Sequence, residues 1–358
     1  MGATPFVSVV LPVYDGERFL AEAVRSVLDQ THREFELVVV DDGSTDRSPE
    51  ILAAFARSDS RVVIRRHEEN QGCAAARNHG VGVARGELIA SMDQDDVCLP
   101  ERLAVQVAFL RAHPDIGAVG TAVERIDADG GARRIKRYPE RPGLIAWSMF
   151  FFNGMADPSV MLRRAAGEAA GWFDPAEEAA EDYGFFVRAI RTMRLANLRQ
   201  PLLKYRVWAK NTTRLSWEQQ ERAATEIVRH AMMLQLDEAV SGDEAATIRG
   251  LATERYPQDV ARIESLARLI NRLRARFLLD PRLTARDQVA VNTDAAVKLW
   301  LLAALAAQES VSKALELARS AQRLSVTSGV RFAVKAARWR AVRALAAAGG
   351  PAGRAFGV

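Results

Sequence analysis

Five carboxylates in two short stretches have the types and spacing to do chemistry. The first stretch, "LIASMDQDDVCLP" (residues 88–100), carries Asp93, Asp95 and Asp96 directly after an apolar run. Such a cluster is unfavourable unless solvent, a cation or a basic partner offsets the mutual repulsion. Spaced as D-x-D at a strand end, Asp93 and Asp95 suit contacts to a hard cation or to ribose hydroxyls. The plain alternative is a solvated turn that caps the next helix near Pro100. The second stretch, "EDYGFFVRA", sets Glu181 and Asp182 ahead of an apolar helical run. At a helix start the positive dipole end favours the ionised carboxylate that a general base needs, while limiting its basicity. Here the plain alternative is an acidic first helical turn.

The elements that must position these groups alternate in type. "FVSVVLPV" (6–13) is β-branched and almost continuously apolar, as in a strand covered on both faces. "ERFLAEAVRSVLDQ" then places Phe19, Leu20, Ala23, Val24, Val27 and Leu28 in one helical stripe. A second strand, "FELVVVD" (35–41), precedes "SPEILAAFAR", where Ser48 is expected to cap a helix with Pro49 at its first position. "RVVIRR" and "ELIASMD" supply two more strands around the helix "GCAAARNHGVGVA". This order predicts an α/β fold with a mostly parallel, doubly wound sheet. Ligands of such sheets sit beyond the carboxyl ends of the strands. Pro12 to Asp15, Asp41 and Asp42, and Asp93 to Asp96 thus converge on one rim.

That rim lacks the usual phosphate cradles. No G-x-G-x-x-G follows the first strand, and no G-x-x-x-x-G-K-[ST] loop occurs. Carboxylates in place of glycine-rich amides would hold a phosphorylated ligand through a bridging divalent cation. The chain of 358 residues is long enough for two or three structural units, and a formal net charge of only +4 does not point to nucleic acid. Cys73 and Cys98 have no metal-ligand spacing. With no signal peptide, they are expected to be packing residues in a reducing, cytoplasmic setting. No apolar run reaches the roughly 18 to 20 residues that span a bilayer. "LWLLAALAA" (299–307) reads as part of a buried helix.

The segments "VSVVLPVYDGERFLAEAVRSVLDQT", "FELVVVDDGSTDRS", "NQGCAAARNHGVGVARGELIASMDQDDVCLP", "DPSVMLRR" and "EDYGFFVRA" together resemble, in order, the inverting nucleotide-sugar glycosyltransferases of family 2, which have the GT-A fold. The resemblance covers roughly residues 5–210. It implies that Pro12 and Tyr14 line a nucleotide pocket, with the Tyr14 ring against the base. Asp42 would accept from the base's imide nitrogen, which fits uracil or thymine. Asp93 would face ribose or metal, Asp95 would ligate Mn²⁺ or Mg²⁺ on the diphosphate, and Arg77 would support the nucleotide end. For Tyr14 and Arg77 the alternative is ordinary surface packing. The family's "ED" motif makes Asp182 the base, with Glu181 as runner-up or orienting neighbour. Asp157, Pro158 and Ser159 fall where the family builds its acceptor wall. The implied activity is inverting, metal-dependent transfer from a UDP- or dTDP-sugar to a saccharide or lipid-linked acceptor, in polysaccharide biosynthesis at the cell envelope. Two rivals are a sugar-nucleotide nucleotidyltransferase, for which "LPVYDGERFL" lacks a glycine-rich basic loop, and a non-catalytic scaffold binding membrane or partners.

The expected division is 1–115 for the nucleotide-sugar half, 116–215 for the acceptor half with the base, and 216–358 for a helical region. In "WSMFFFNGM", Trp147, Phe150, Phe151 and Phe152 could stack a sugar or lipid, although such clusters more often form core. Asn211 fits a glycosylation pattern that is discounted here for want of a secretory signal. "ERAATEIVRHAMMLQLDEAV", "DVARIESLARLINRLRARFLL" and "SVSKALELARSAQRL" read as amphipathic helices. From Leu317 to Val358 there are eight Lys or Arg and no acidic residue. The basic stretch with Phe332, Trp339, Val342 and Leu345 suits peripheral contact with the anionic inner face of the plasma membrane, or else docking or homo-oligomer packing.

Overall fold

The computed structural model describes residues 6–177, 179–208, 217–257, 259–330 and 332–333. Asn211 and the basic segment beyond residue 333, with Trp339, Val342 and Leu345, lie outside the described residues. Packing divides the chain into two units, one within Met1–Met149 and Asn153–Ile227, the other within Phe150–Phe152 and Val228–Val358.

The first unit is built on β1 (Val7–Val13), β2 (Phe35–Asp41), β3 (Val62–Arg66) and β4 (Leu88–Ser91). These run parallel in the order β3-β2-β1-β4. Every residue of β2 and β4 is buried, which suits their mostly apolar sequences and leaves Glu36, Asp41 and Ser91 as buried polar groups. Helices α1 (Leu20–Leu28), α2 (Ser48–Ser58) and α3 (Cys73–Val83) are the crossovers. α1 sends Leu20, Ala23, Val24 and Val27 into the core shared with Val9, Leu11 and Leu37. α3 lies close on the sheet because Gly80 allows it: a Cβ there would stand 2.5 Å from Val10 Cγ1. The chain runs outward from β1 to β3, then returns to place β4 on the other side of β1. The reversal leaves a crevice at the carboxyl ends of β1 and β4.

The remaining strands make the sheet mixed. β5 (Val97–Cys98), β6 (Ile116–Ile126), β7 (Ala132–Lys136), β8 (Met161–Arg163) and β9 (Arg194–Arg206) extend it as β4-β8-β6-β9-β5, with β7 a hairpin partner of β6. β8 is antiparallel to β4 and β6, β9 is parallel to β6, and β5 is antiparallel to β9. Helices α4 (Arg102–Ala112), α5 (Pro142–Ser148), α6 (Arg164–Ala170) and α7 (Glu181–Thr192) complete the unit, with one 3-10 turn at Asp157–Ser159.

Ser48 does not cap α2. Its hydroxyl accepts from Gly16 N–H at 2.9 Å, while Asp46 Oδ1 accepts from Ser48 N–H at 2.8 Å. The hydroxyl thus joins the loop after β1 to that after β2. Cys98 is buried as expected, whereas Cys73 is an exposed free cysteine at the first residue of α3.

The second unit holds α9 (Gly242–Thr253), α10 (Val260–Phe277), α11 (Ala285–Ala306), α12 (Val311–Leu324) and the later part of α8 (Trp217–Leu236). Capping boxes start α9 at Ser241 and Glu244, and α11 at Thr284 and Asp287. α10 buries Ile263, Leu266, Ile270, Leu273 and Phe277 on one side. At 22 residues and a mean hydropathy of 1.5, α11 is long and apolar enough by length and composition to cross a membrane. The run at Leu299–Ala307 is only its second half, because polar positions such as Asp294 interrupt the apolar pattern upstream. α11 packs along α10 and α12, and it buries Val291, Ala295, Leu299 and Leu302.

Candidate active site

The loops at the carboxyl ends of β1 and β2 are laced to each other. Asp15, in the left-handed region at φ 46°, accepts from Thr45 N–H at 2.8 Å, and Asp46 accepts from Glu17 N–H at 2.8 Å. The loop after β4 joins them through Gln94, the middle residue of D-x-D. Its side-chain amide accepts from Tyr14 N–H at 2.9 Å and donates to Tyr14 O at 3.0 Å. Tyr14 is thereby fixed by its backbone while its side chain stays exposed, as a ring that packs on a ligand must be. Pro12 lies in β1 opposite Val40.

Asp42 directly follows β2 and is buried. Its Oδ1 accepts from His67 Nδ1–H at 2.6 Å and Gln71 N–H at 3.0 Å, and Oδ2 from Gly72 N–H at 2.9 Å. His67 Nε2 lies 2.7 Å from His79 Nδ1, whose ring stacks on it. Burial and neighbouring positive charge lower the His79 pKa, which favours a neutral ring donating to His67. The pair orients Asp42, leaving Oδ2 an acceptor position for a ligand donor.

Arg77 is the link between the two acidic stretches. It is buried, not surface-packed. Nη2 donates to Asp93 Oδ1 at 2.9 Å and lies 3.0 Å from Asp157 Oδ2, while Nη1 donates to Glu181 Oε1 at 3.1 Å. One guanidinium thus gathers carboxylates from the loop after β4, the 3-10 turn and the start of α7. Asp157 is buried, and burial raises its carboxyl to about 6 despite Arg77. Pro158 and Ser159 are buried too. These three buried residues therefore do not present a wall to an acceptor, and Asp157 supports the site through Arg77. Of the aromatic cluster, Trp147, Phe150 and Phe151 are core and Phe152 alone is exposed.

Asp95 and Asp96 are anchored from the far end of β9. Asp95 Oδ2 accepts from Trp208 Nε1–H at 2.8 Å. Asp96 is buried, accepts from Arg206 N–H at 2.8 Å, and keeps Oδ2 without a hydrogen-bond partner. It does not cap α4, which starts without a side-chain cap. The Arg206 guanidinium donates to Asp95 O and to Glu22, and lies over the Phe19 ring. Burial and then Asp93 push Asp95 up to about 6; burial and then its two acidic neighbours push Asp96 well above the usual carboxylate range.

This crowding is what a dication would offset. Among the described residues no group of three or more His, Cys, Asp or Glu is assembled to hold a metal. Asp93 and Asp95 supply hard oxygen ligands but no closed cage. That donor set fits Mg²⁺ or Mn²⁺ held by one or two carboxylates with diphosphate oxygens completing the shell.

At α7, Asp182 Oδ2 accepts from Asn153 Nδ2–H at 3.1 Å. Tyr183 O–H donates to Met149 O at 2.7 Å and ties down the helix start. The dipole does not set the charge here. Burial, then Glu181 and Asp157, raise Asp182 to about 7, outweighing the helix end. Glu181 is engaged by Arg77, whereas Asp182 is bonded to Asn153. Sequence reasoning missed Asn153, His67, His79, Arg206 and Trp208. His79 falls within the "NQG" segment but drew no role there, and each of the five acts through a contact distant in sequence.

The Glycosyl transferase family 2 profile matches residues 8–174. A glycosyltransferase of Methanocaldococcus jannaschii, MJ1057, uncharacterized by name, is 31% identical over 209 residues, covering 57% of this chain and 71% of that relative. The chain belongs to glycosyl transferase family 2. EpsE of Bacillus subtilis, named a glycosyltransferase on provisional grounds, is 38% identical over 169 residues, and the match spans 46% of this chain but only 59% of EpsE. TarS residues 1–349 of S. aureus, solved with UDP-GlcNAc, align with a TM-score of 0.55 at 20% identity over 89% of this chain and 90% of that one. The mannosyltransferase PcManGT of Pyrobaculum calidifontis, solved with GDP-Man and Mn²⁺, aligns at 0.50 and 18% over 92% and 87%. These likenesses show the GT-A fold.

Proposed function

We propose that this family 2 member transfers a glycosyl group from a UDP- or dTDP-sugar to a hydroxyl of a saccharide or lipid-linked acceptor by single displacement with inversion. The observation that carries the reading is the Arg77 bridge. It holds Asp93 and Glu181, 88 positions apart (181 − 93), on one guanidinium, so the donor loop and the helix of the base form one site. Tyr14 supplies a face for the base and Asp42 Oδ2 an acceptor for its imide N–H. Asp93 and Asp95 would hold a divalent cation, Mn²⁺ or Mg²⁺, which would supply Lewis-acid stabilisation of the leaving diphosphate. Asp182, oriented by Asn153, takes the acceptor hydroxyl's proton, and a carboxyl at about 7 is matched to that task near neutral pH. Glu181, bound to Arg77, positions the helix start. One base, with the neighbouring Glu181 engaged by Arg77, favours inversion.

Calorimetry of UDP, dTDP and GDP with and without Mn²⁺ tests the donor side; GDP is included because PcManGT was solved with GDP-Man. The expected result is Mn²⁺-dependent binding of the pyrimidine diphosphates that Asp95→Asn weakens at least about tenfold, the loss of one charge-assisted ligand. Tight UDP binding indifferent to both Mn²⁺ and Asp95→Asn would refute the assignment.

A further inference from the structure

The hairpin of β6 and β7 carries several cations that form no ion pair among the described residues. Four of the six residues from Ala132 to Arg137 are Arg or Lys, and β7 is exposed along its whole length. Arg125 on β6 is directly opposite Arg134 on β7, and Lys136, opposite Val123, shares their face two positions along. Like charges directly opposite in an antiparallel ladder are destabilising. Arg133 has Asp127 at 3.5 Å, but among the described residues Arg125, Arg134 and Lys136 have no carboxylate within ion-pair distance. Burial and then Arg134 lower the pKa of half-buried Arg125. A fold that holds three cations against one another gains when an anion enters among them.

This charged face borders the base. Lys136 Nζ lies 5.0 Å over the Tyr138 ring, and the charges of Asp182 and Asp96 reach the Tyr138 phenol, which burial foremost pushes above its ordinary value. Asn197 Nδ2 donates to both Pro139 O at 2.7 Å and Gly154 O at 2.9 Å, joining the hairpin's exit to the segment whose Asn153 holds Asp182. Across β6, Arg125 is paired with Tyr205, beside the Arg206 that anchors the Asp95–Asp96 loop. The cations therefore lie by the base, where an acceptor must arrive, while the donor diphosphate is assigned to Asp93 and Asp95.

We propose that Arg125, Arg134 and Lys136 bind a phosphate group of the acceptor, which is a phosphate- or diphosphate-ester saccharide and not a neutral glycan. The proposal rests on the glycosyltransferase reading and names its acceptor class. The phosphate could belong to a lipid carrier or to a phosphodiester polymer, so the test uses both.

Binding of geranyl diphosphate, a three-unit glycerol phosphate oligomer and neutral maltotriose is measured with the full chain under saturating UDP and Mn²⁺, which fill the donor side. We expect at least one anionic probe to bind, with affinity that falls as salt rises, and maltotriose to bind at least about tenfold more weakly. Arg134→Ala with Lys136→Ala, both at exposed positions, should cost the anionic probe about tenfold or more and leave UDP affinity within about twofold. Arg134→Glu should cost more. The better anionic probe identifies the phosphate's source. Failure of both anionic probes to bind, equal binding of maltotriose, an unchanged double variant, or UDP affinity lost in parallel would each overturn the proposal. Failure of the wild type to bind UDP with Mn²⁺ would instead refute the donor reading. The anionic probes, repeated without nucleotide, would still report on the hairpin.

Discussion

Asp182→Asn should abolish transfer and at the same time stabilise the protein above neutral pH. The folded protein holds this carboxyl at about 7 against an ordinary value of 3.8. A group whose pKa is raised on folding contributes stability in full below its unfolded value and loses it as pH climbs through the folded one. The span of 3.2 units corresponds to about 4 kcal/mol, of which about 2.5 kcal/mol falls between pH 5 and 8.5. Asparagine carries no charge at either pH and keeps the side chain's size. The variant's advantage over wild type should therefore grow by about 2 kcal/mol across that range, after allowing for a compensating change at neighbouring Glu181. For a unit of this size that is about 4 to 8 °C in Tm. Scanning calorimetry of both proteins at pH 5, 7 and 8.5 reads the difference directly. In parallel, wild-type kcat/KM should rise about tenfold per pH unit below about 7 and then level off, while UDP binding by the variant stays intact. A stability difference that does not change with pH, or near-normal turnover by the variant, would refute the role given to Asp182.

Arg77→Met should destabilise the first unit by about 3 to 5 kcal/mol, the cost of stripping buried carboxylates of their partner. Because Asp157 would then rise above its present value of about 6, the loss should be larger at pH 8 than at pH 5.5 in chemical denaturation. Arg77→Lys, which keeps the charge without the fork, should lose less. Gly80→Ala should cost about 1 to 3 kcal/mol through overpacking against Val10, read as a lowered denaturation midpoint with the slope unchanged.

The parallel half of the sheet was legible because its information is local. "FELVVVD" is β2 residue for residue, and the apolar stripe of "ERFLAEAVRSVLDQ" is α1. α10 and α12 likewise follow their periodic runs closely. The antiparallel half was not legible. β5 is two residues long and exists only because Leu203 and Lys204 pair with it, and β9 carries Pro201 in mid-strand, where local preference argues against a strand. In the site, residue types announced the acids but not what holds them. Arg77 could be placed at the nucleotide end by resemblance, yet its grip on Glu181 and Asp157 depends on tertiary approach. Likewise the α7 start suggested an ionised pair, and only burial reveals how far Asp182 is pushed the other way.

The anchoring of the Asp95–Asp96 loop by Arg206 and Trp208 bears on how the protein comes into being. Every recognisable donor motif has been made by residue 100, and the family match ends at residue 174. The side chains that anchor the Asp95–Asp96 loop follow about thirty residues later. A growing chain therefore carries all the donor motifs for more than a hundred further residues of synthesis before the side chains that hold Asp95 and Asp96 are made. A fragment trimmed at the end of the family match would keep those motifs and lose the grip on Asp95.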